Sequence, residues 1–187
     1  MRAAICGIDL GTTNSAVAVV IDGKPVVVPD EQGNRTIPSV VSFPSEEGKV
    51  LVGHAARKRL TKDPSNTYHS VKRFIGKRFK DKKVAEDARR VPYEVCATVE
   101  ADAEAMGLVG LGPSKNGAGF VAVRCPALGR KVSPEEISAH IVKKCVKLAS
   151  AKLGGELITK AVITVPAYFD DGQCDATIRA GLRAGLE

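Results

Sequence analysis

Mostly apolar residues run from Ala3 to Leu10, give way to Gly11-Thr12-Thr13-Asn14-Ser15, and resume from Ala16 to Ile21. That pattern predicts a strand, a tight polar turn and a second strand. Asp22-Gly23 then turns the chain into Lys24–Pro29, so the three segments read as an antiparallel meander. Gly33-Asn34 breaks the chain before another alternating run, Ser39–Phe43. His54–Leu60 and Val71–Phe79 read as basic helices, and Val91–Leu128 as short strands and loops. Within the latter, the Gly- and Ala-rich stretch Ala101–Gly119 reads as a loop insertion. The clearest helix follows. Ser133 caps it, Pro134 suits its first position, and Glu136 is spaced to close a capping box. Ile137, Ile141, Cys145 and Leu148 share one face, and Gly154-Gly155 ends it. Lys160–Val165 reads as a buried strand stopped by Pro166, and Asp170 or Asp171 caps a last helix to about Leu182. The order is β-β-β, a mixed insert, then α-β-α.

Composition narrows the class without naming it. In 187 residues, 44% hydrophobic and 26% charged describe an ordinary globular chain, neither disordered nor fibrous. No apolar stretch approaches the ~18 residues of a membrane span. Met1–Cys6 is followed by no cleavage site and reads as the start of the first strand. The cysteines (Cys6, Cys96, Cys125, Cys145 and Cys174) are five, an odd number with no C-x-x-C pair. They argue against a disulfide framework or a zinc site and for a reducing compartment. No pair of histidines has a metal-binding spacing.

Charge changes the picture more. The formal net charge is +7, and Lys72–Lys83 holds seven basic residues. Such a run can be a solvated face, a nucleic-acid surface or a site for phosphates. The nucleic-acid reading lacks stacking platforms, since aromatic residues are 4% of the chain and tryptophan is absent.

The segment Gly7-Ile8-Asp9-Leu10-Gly11-Thr12-Thr13-Asn14-Ser15 carries the sharpest chemistry. Gly11 lets backbone approach a phosphate, and the amides and hydroxyls of Thr12, Thr13 and Asn14 can donate to it. Asp9, at the strand end, can hold a hydrated Mg²⁺ beside the same phosphates. A plain hairpin turn also favours Gly, Thr and Asn, so the segment alone leaves both readings open.

This segment looks like the first phosphate loop of the actin, sugar-kinase and seventy-kilodalton chaperone superfamily. Three further stretches select the chaperone. Gln32–Val41 is similar to that family's turn into its second subdomain, Asn66–Gly76 resembles its segment with the catalytic lysine, and Ala161–Asp171 resembles its strand and proline switch. The chain is identified as a member of the seventy-kilodalton heat-shock (DnaK-type) family, with Cys125–Gly129 and Glu135–Ala139 most like the plastid and cyanobacterial branch.

The resemblance implies an α/β fold, an actin-like ATPase (ribonuclease-H-like) lobe with a mixed sheet. Residues 1–38 and 133–187 would form its main subdomain and 39–132 a smaller inserted one. It implies ATP or ADP with Mg²⁺ as ligands, Lys72 as the catalytic lysine, Gly11, Thr12, Thr13 and Asn14 on the phosphates, and Asp9 holding Mg²⁺ through water. Pro166 and Tyr168 would belong to the nucleotide-sensing switch. Cys174 stands where the family has arginine, and Asp170 where it has asparagine, which puts transmission through that switch in doubt. Unfolded polypeptide, a J-domain co-chaperone and a nucleotide-exchange factor would be the partners, with neither nucleic acid nor membrane. The chloroplast stroma is the expected compartment, the cytoplasm the alternative. Residues 1–187 correspond to the first half of the family's ATPase domain, so weak nucleotide contact and no efficient turnover are expected of them alone. A non-enzymatic interaction module is the competing reading. The strand Lys160–Val165 is expected to present an open edge able to pair with another chain.

Overall fold

A computed structural model describes residues 4–45, 48–108 and 119–187. The meander is β1 (Ala4–Asp9), β2 (Asn14–Ile21) and β3 (Lys24–Val27), followed by the short strands β4 (Ile37–Pro38), β5 (Val40–Ser42) and β6 (Leu51–Val52). Next come α1 (His54–Arg57), β7 (Thr67–His69), α2 (Lys82–Ala88), β8 (Val95–Ala97) and α3 (Glu100–Ala105). The chain continues through β9 (Val121–Cys125), β10 (Arg130–Val132), α4 (Pro134–Lys152), β11 (Ile158–Thr164) and α5 (Asp171–Arg183).

The main sheet runs in the order β11-β1-β2-β3, with β4 also on β2. β11 lies parallel to β1 and the remaining pairings are antiparallel, so the sheet is mixed. Alternation decides which face is covered. Cys6, Ile8, Val17 and Val19 point to one side and are buried. There they meet α4, whose Ile137, Ile141, Cys145 and Leu148 form the stripe its spacing predicts. α5 packs beside α4. Two smaller antiparallel sheets, β10-β9-β8 and β6-β5-β7, complete the fold. One buried cluster continues from β1 and β2 through α4 to Tyr68, Phe74 and Val123.

Several local expectations are revised. The run Ser39–Phe43 does not alternate, because Val40, Val41 and Ser42 are all buried, and Ser42 Oγ shares a 2.9 Å hydrogen bond with Thr67 Oγ1. The two basic helices shrink. His54–Arg57 makes a single turn, and Val71–Arg73 is a 3₁₀ turn. Gly76, at φ 68°, stops any continuation. The insertion begins as α3 rather than as loop, while 109–118 lie outside the described residues. Ser133 does cap α4, accepting from the Glu136 amide at 3.1 Å, but the Glu136 carboxylate forks onto Arg130 at 3.0 and 2.6 Å. β11 is not buried on both faces, since Val162 is 66% exposed. Asp170 caps α5 in a reciprocal box with Gln173.

Candidate functional site

The turn between β1 and β2 is tight for a stated reason. A Cβ on Gly11 would lie 2.0 Å from the carbonyl oxygen of Asn14, so no side chain fits there. Its amide donates to Ser15 Oγ at 3.2 Å, and that buried hydroxyl shares a 2.9 Å hydrogen bond with Ser39 Oγ. The Ser39 amide in turn donates to the Thr13 carbonyl at 2.9 Å. The turn is therefore held from behind, while Thr13 and Asn14 stay exposed and Thr12 is half-buried.

Asp9 ends β1 opposite Thr164, the last residue of β11, and accepts a hydrogen bond from Thr164 Oγ1 at 2.8 Å. Lys72 arrives from the 3₁₀ turn, which Ser70 enters at φ 57°. Its ammonium donates to the Leu10 carbonyl at 2.5 Å and stands 5.4 Å from the centroid of the Phe169 ring. Burial pulls the Lys72 pKa below the ordinary lysine value, and the charge of Asp9 opposes that shift.

Thr12, Lys72, Pro166, Tyr168 and Phe169 line one cleft of about 500 Å³. Pro166 closes a turn, its carbonyl accepting from the Phe169 amide at 3.0 Å, and Tyr168 is 84% exposed. Cys174 is not among the residues that line this cleft. It is half-buried on α5 and lines a separate apolar groove with Ile163, Val165, Ile178 and Leu182. Thus Thr12 of the β1–β2 turn, Lys72, Pro166 and Tyr168 line one cleft, while Gly11, Thr13, Asn14 and Asp9 do not line it and Cys174 lines another groove. Phe169, Thr164 and the Ser15–Ser39 pair lie within the motif stretches but are not singled out by residue type, because their contacts are with neighbouring residues of the site. Among the described residues, no group of three or more His, Cys, Asp or Glu side chains could cage a metal.

A model of the family described as Hsp70 protein matches residues 5–187. The chain belongs to the Hsp70 family. Among similar Hsp70 proteins, Chaperone protein dnaK of Cyanidium caldarium is 46% identical over 183 residues, 98% of this chain and 26% of its own length. Chaperone protein dnaK3 of Thermosynechococcus vestitus is 45% identical over 182 residues, 97% of this chain and 24% of that protein. Chaperone protein DnaK of Thermus thermophilus is 48% identical over 181 residues, 97% of this chain and 25% of that protein. The chain spans about a quarter of the length of these curated relatives.

Proposed function

We propose that this chain is the phosphate-gripping part of an Hsp70 ATPase site, and that in a complete protein it takes part in ATP hydrolysis coupled to the binding of unfolded polypeptide. The observation that carries the reading is that Lys72 reaches the Leu10 carbonyl, just before the Gly11–Asn14 turn and beside the charge of Asp9, and lines one cleft with Thr12. In the finer fold reading, 1–38 with 133–187 form a ribonuclease-H-like subdomain of an actin-like lobe, and 39–132 the inserted one.

Each residue has a task that follows from its chemistry. The Thr12–Asn14 backbone and hydroxyls donate to phosphate oxygens, with Gly11 giving them close approach. Lys72 places a positive charge where the γ-phosphate gains negative charge in the transition state, and it orients the attacking water. Its half-buried ammonium is already held by Leu10 and Phe169, so little reorganisation is needed. A single carboxylate at a strand end fits a hydrated Mg²⁺, which keeps most of its waters, better than a protein cage would. Asp9 would hold that ion through water, and the ion would neutralise phosphate charge. Pro166 and Tyr168 line the same cleft and would respond to what the phosphates do. Client polypeptide, a J-domain co-chaperone and an exchange factor follow as partners of the complete protein, and the plastid-type resemblance favours the chloroplast stroma.

A chimera tests the reading: residues 1–187 continued by the rest of a dnaK relative. It is expected to hydrolyse ATP, and Lys72→Ala is expected to lower turnover by about 10²-fold or more while leaving nucleotide affinity nearly unchanged. Equal turnover in the variant would remove Lys72 from its assigned role. The groove beside Cys174 favours the second reading, an interaction module. That reading predicts a chimera without turnover and a chain that still captures a partner.

A further inference from the structure

The cleft that holds Lys72 extends past the phosphate loop. Beyond Thr12 and Lys72 it is lined by Arg73, Lys77, Lys83 and Gln173. Four cations therefore face a space of about 500 Å³, against the two carboxylates Asp87 and Asp170. Both carboxylates are already engaged. Asp87 pairs with Arg73 at 3.0 Å, and Asp170 accepts the Gln173 amide at 2.9 Å as the cap of α5. Lys72 has Leu10, Phe169 and the nearby Asp9. Among the described residues, neither Lys77 nor Lys83 has an ion-pair or hydrogen-bond partner for its ammonium.

Of the two, Lys77 is fixed by its backbone, whereas Lys83 is exposed on a helix. Lys77 is half-buried, its carbonyl accepts from the Val121 amide at 3.0 Å, and its own amide donates to Phe74 at 3.2 Å. The residue before it, Gly76, presses on the start of α5 so closely that a Cβ would lie 2.6 Å from the Gly172 carbonyl oxygen. Lys83 stands in the first turn of α2, one helical turn before the Asp87 that Arg73 occupies. With Arg73 and Asp87 paired, Lys72, Lys77 and Lys83 outweigh the one carboxylate of Asp170, so the concave wall keeps a net positive charge that concentrates anions, and a lysine binds a phosphate group as a point charge.

We propose that Lys77 and Lys83 form a second site for a phosphate-class oxyanion, in the same cleft as Lys72 but separate from the Gly11–Asn14 loop. The place of this site beside a first one rests on the reading of Lys72 above, whereas its occupancy does not. Two sources share the chemistry: inorganic phosphate and the terminal phosphate of a nucleotide.

Amide NMR on the 187-residue chain is the test, with sodium phosphate titrated at pH 8 against sodium chloride of matched ionic strength. Saturable shifts are expected at Lys77, Lys83 and Gly172. They should persist in Lys72→Gln, and weaken about five-fold or more in Lys77→Gln/Lys83→Gln, as loss of two charged contacts requires. A Mg-ATP arm separates the sources. If phosphate moves these amides, the free anion is a ligand, and if only Mg-ATP does, the ligand is the nucleotide's terminal phosphate. Shifts confined to Gly11–Asn14 overturn the second site and leave the first reading standing. Equal shifts with chloride overturn it as well. Absence of any Mg-ATP effect at Gly11–Asn14 counts against the first reading alone. Matching amide spectra of the unliganded variants outside the substituted positions show that folding is intact.

Discussion

Lys72 donates to the carbonyl oxygen of Leu10 at 2.5 Å, across a sequence separation of 62 residues. The contact ties the catalytic candidate to the strand end that launches the Gly11–Asn14 turn. Lys72→Met should therefore cost the isolated chain about 1 kcal/mol, the net worth of one hydrogen bond whose acceptor is left behind. Lys72→Arg keeps the charge but replaces a compact ammonium by a wide fork. Its stability should stay near that of the parent, while the chimera's turnover does not recover. Urea unfolding of both variants, with chimera kinetics beside it, decides the point. Full turnover in Lys72→Arg would show that any cation suffices.

Gly11→Ala is expected to be costlier than a helix glycine substitution. The added Cβ meets a backbone oxygen at 2.0 Å, and backbone cannot rotate away as a side chain can. A loss of about 1–3 kcal/mol is expected, as for other overpacked sites. The Ser15–Ser39 hydrogen bond behind the turn should loosen with it. An alanine variant with an unchanged urea midpoint would show that the turn readily adopts another shape.

Burial holds the imidazoles of His69 and His140 below the ordinary histidine pKa. His69 packs edge-on to Tyr93 and His140 edge-on to Phe43. The folded pKa is depressed, so the unfolded chain binds protons more readily as pH falls below about 6.5. Their contribution is thus fully present above that value and is lost towards pH 5. Urea midpoints at pH 7.5 and 5.0 should differ, with lower stability at the acid end. His69→Gln/His140→Gln should flatten the difference, and a variant as pH-sensitive as the parent would contradict the assignment.

The elements that one periodicity dictates were legible in the chain. The meander, α4 with its Ser133 cap, and α5 with its Asp170 cap all follow from alternation, stripe and cap residues. What was not legible depends on partners distant in sequence. Val71–Phe79 reads as a helix by its residues, yet Gly76 must approach Gly172 closely, and that contact breaks the helix. Glu136 has the right spacing for a capping box, but Arg130 offers its carboxylate a bidentate partner. At the site, Lys72 and the Gly11–Asn14 turn could be picked out by type and motif. That Phe169 lies near the ammonium, and that Cys174 lines another groove, required the fold.

β11 pairs with β1 on one side, and among the described residues no strand lies on its other side. Glu187 reaches β11 at its start, its amide donating to the Thr159 carbonyl at 2.7 Å and its carboxylate lying 3.7 Å from the Lys160 ammonium. Nearby, Ala161, Ile163, Val165, Ile178 and Leu182 line an apolar groove of about 290 Å³. Ile178 is 60% and Leu182 52% exposed. Open edges beside apolar surface favour association. The 187-residue chain should sediment as more than a monomer at micromolar concentration, and Ile178→Lys/Leu182→Glu should shift it towards monomer. A parent that stays monomeric would show that the groove is too small to hold a neighbour.

The central claim is that the Gly11–Asn14 turn and Lys72 grip nucleotide phosphates. Amide NMR of the 187-residue chain titrated with Mg-ATP reads it directly. The expected result is a saturable shift of the Gly11, Thr12, Thr13, Asn14 and Lys72 amides, with a dissociation constant on the order of 1 mM, as a few charge-assisted hydrogen bonds provide. Thr13→Val should weaken the response. Shifts that spare this turn while other surfaces respond, or no saturable shift at several millimolar nucleotide, would contradict the account.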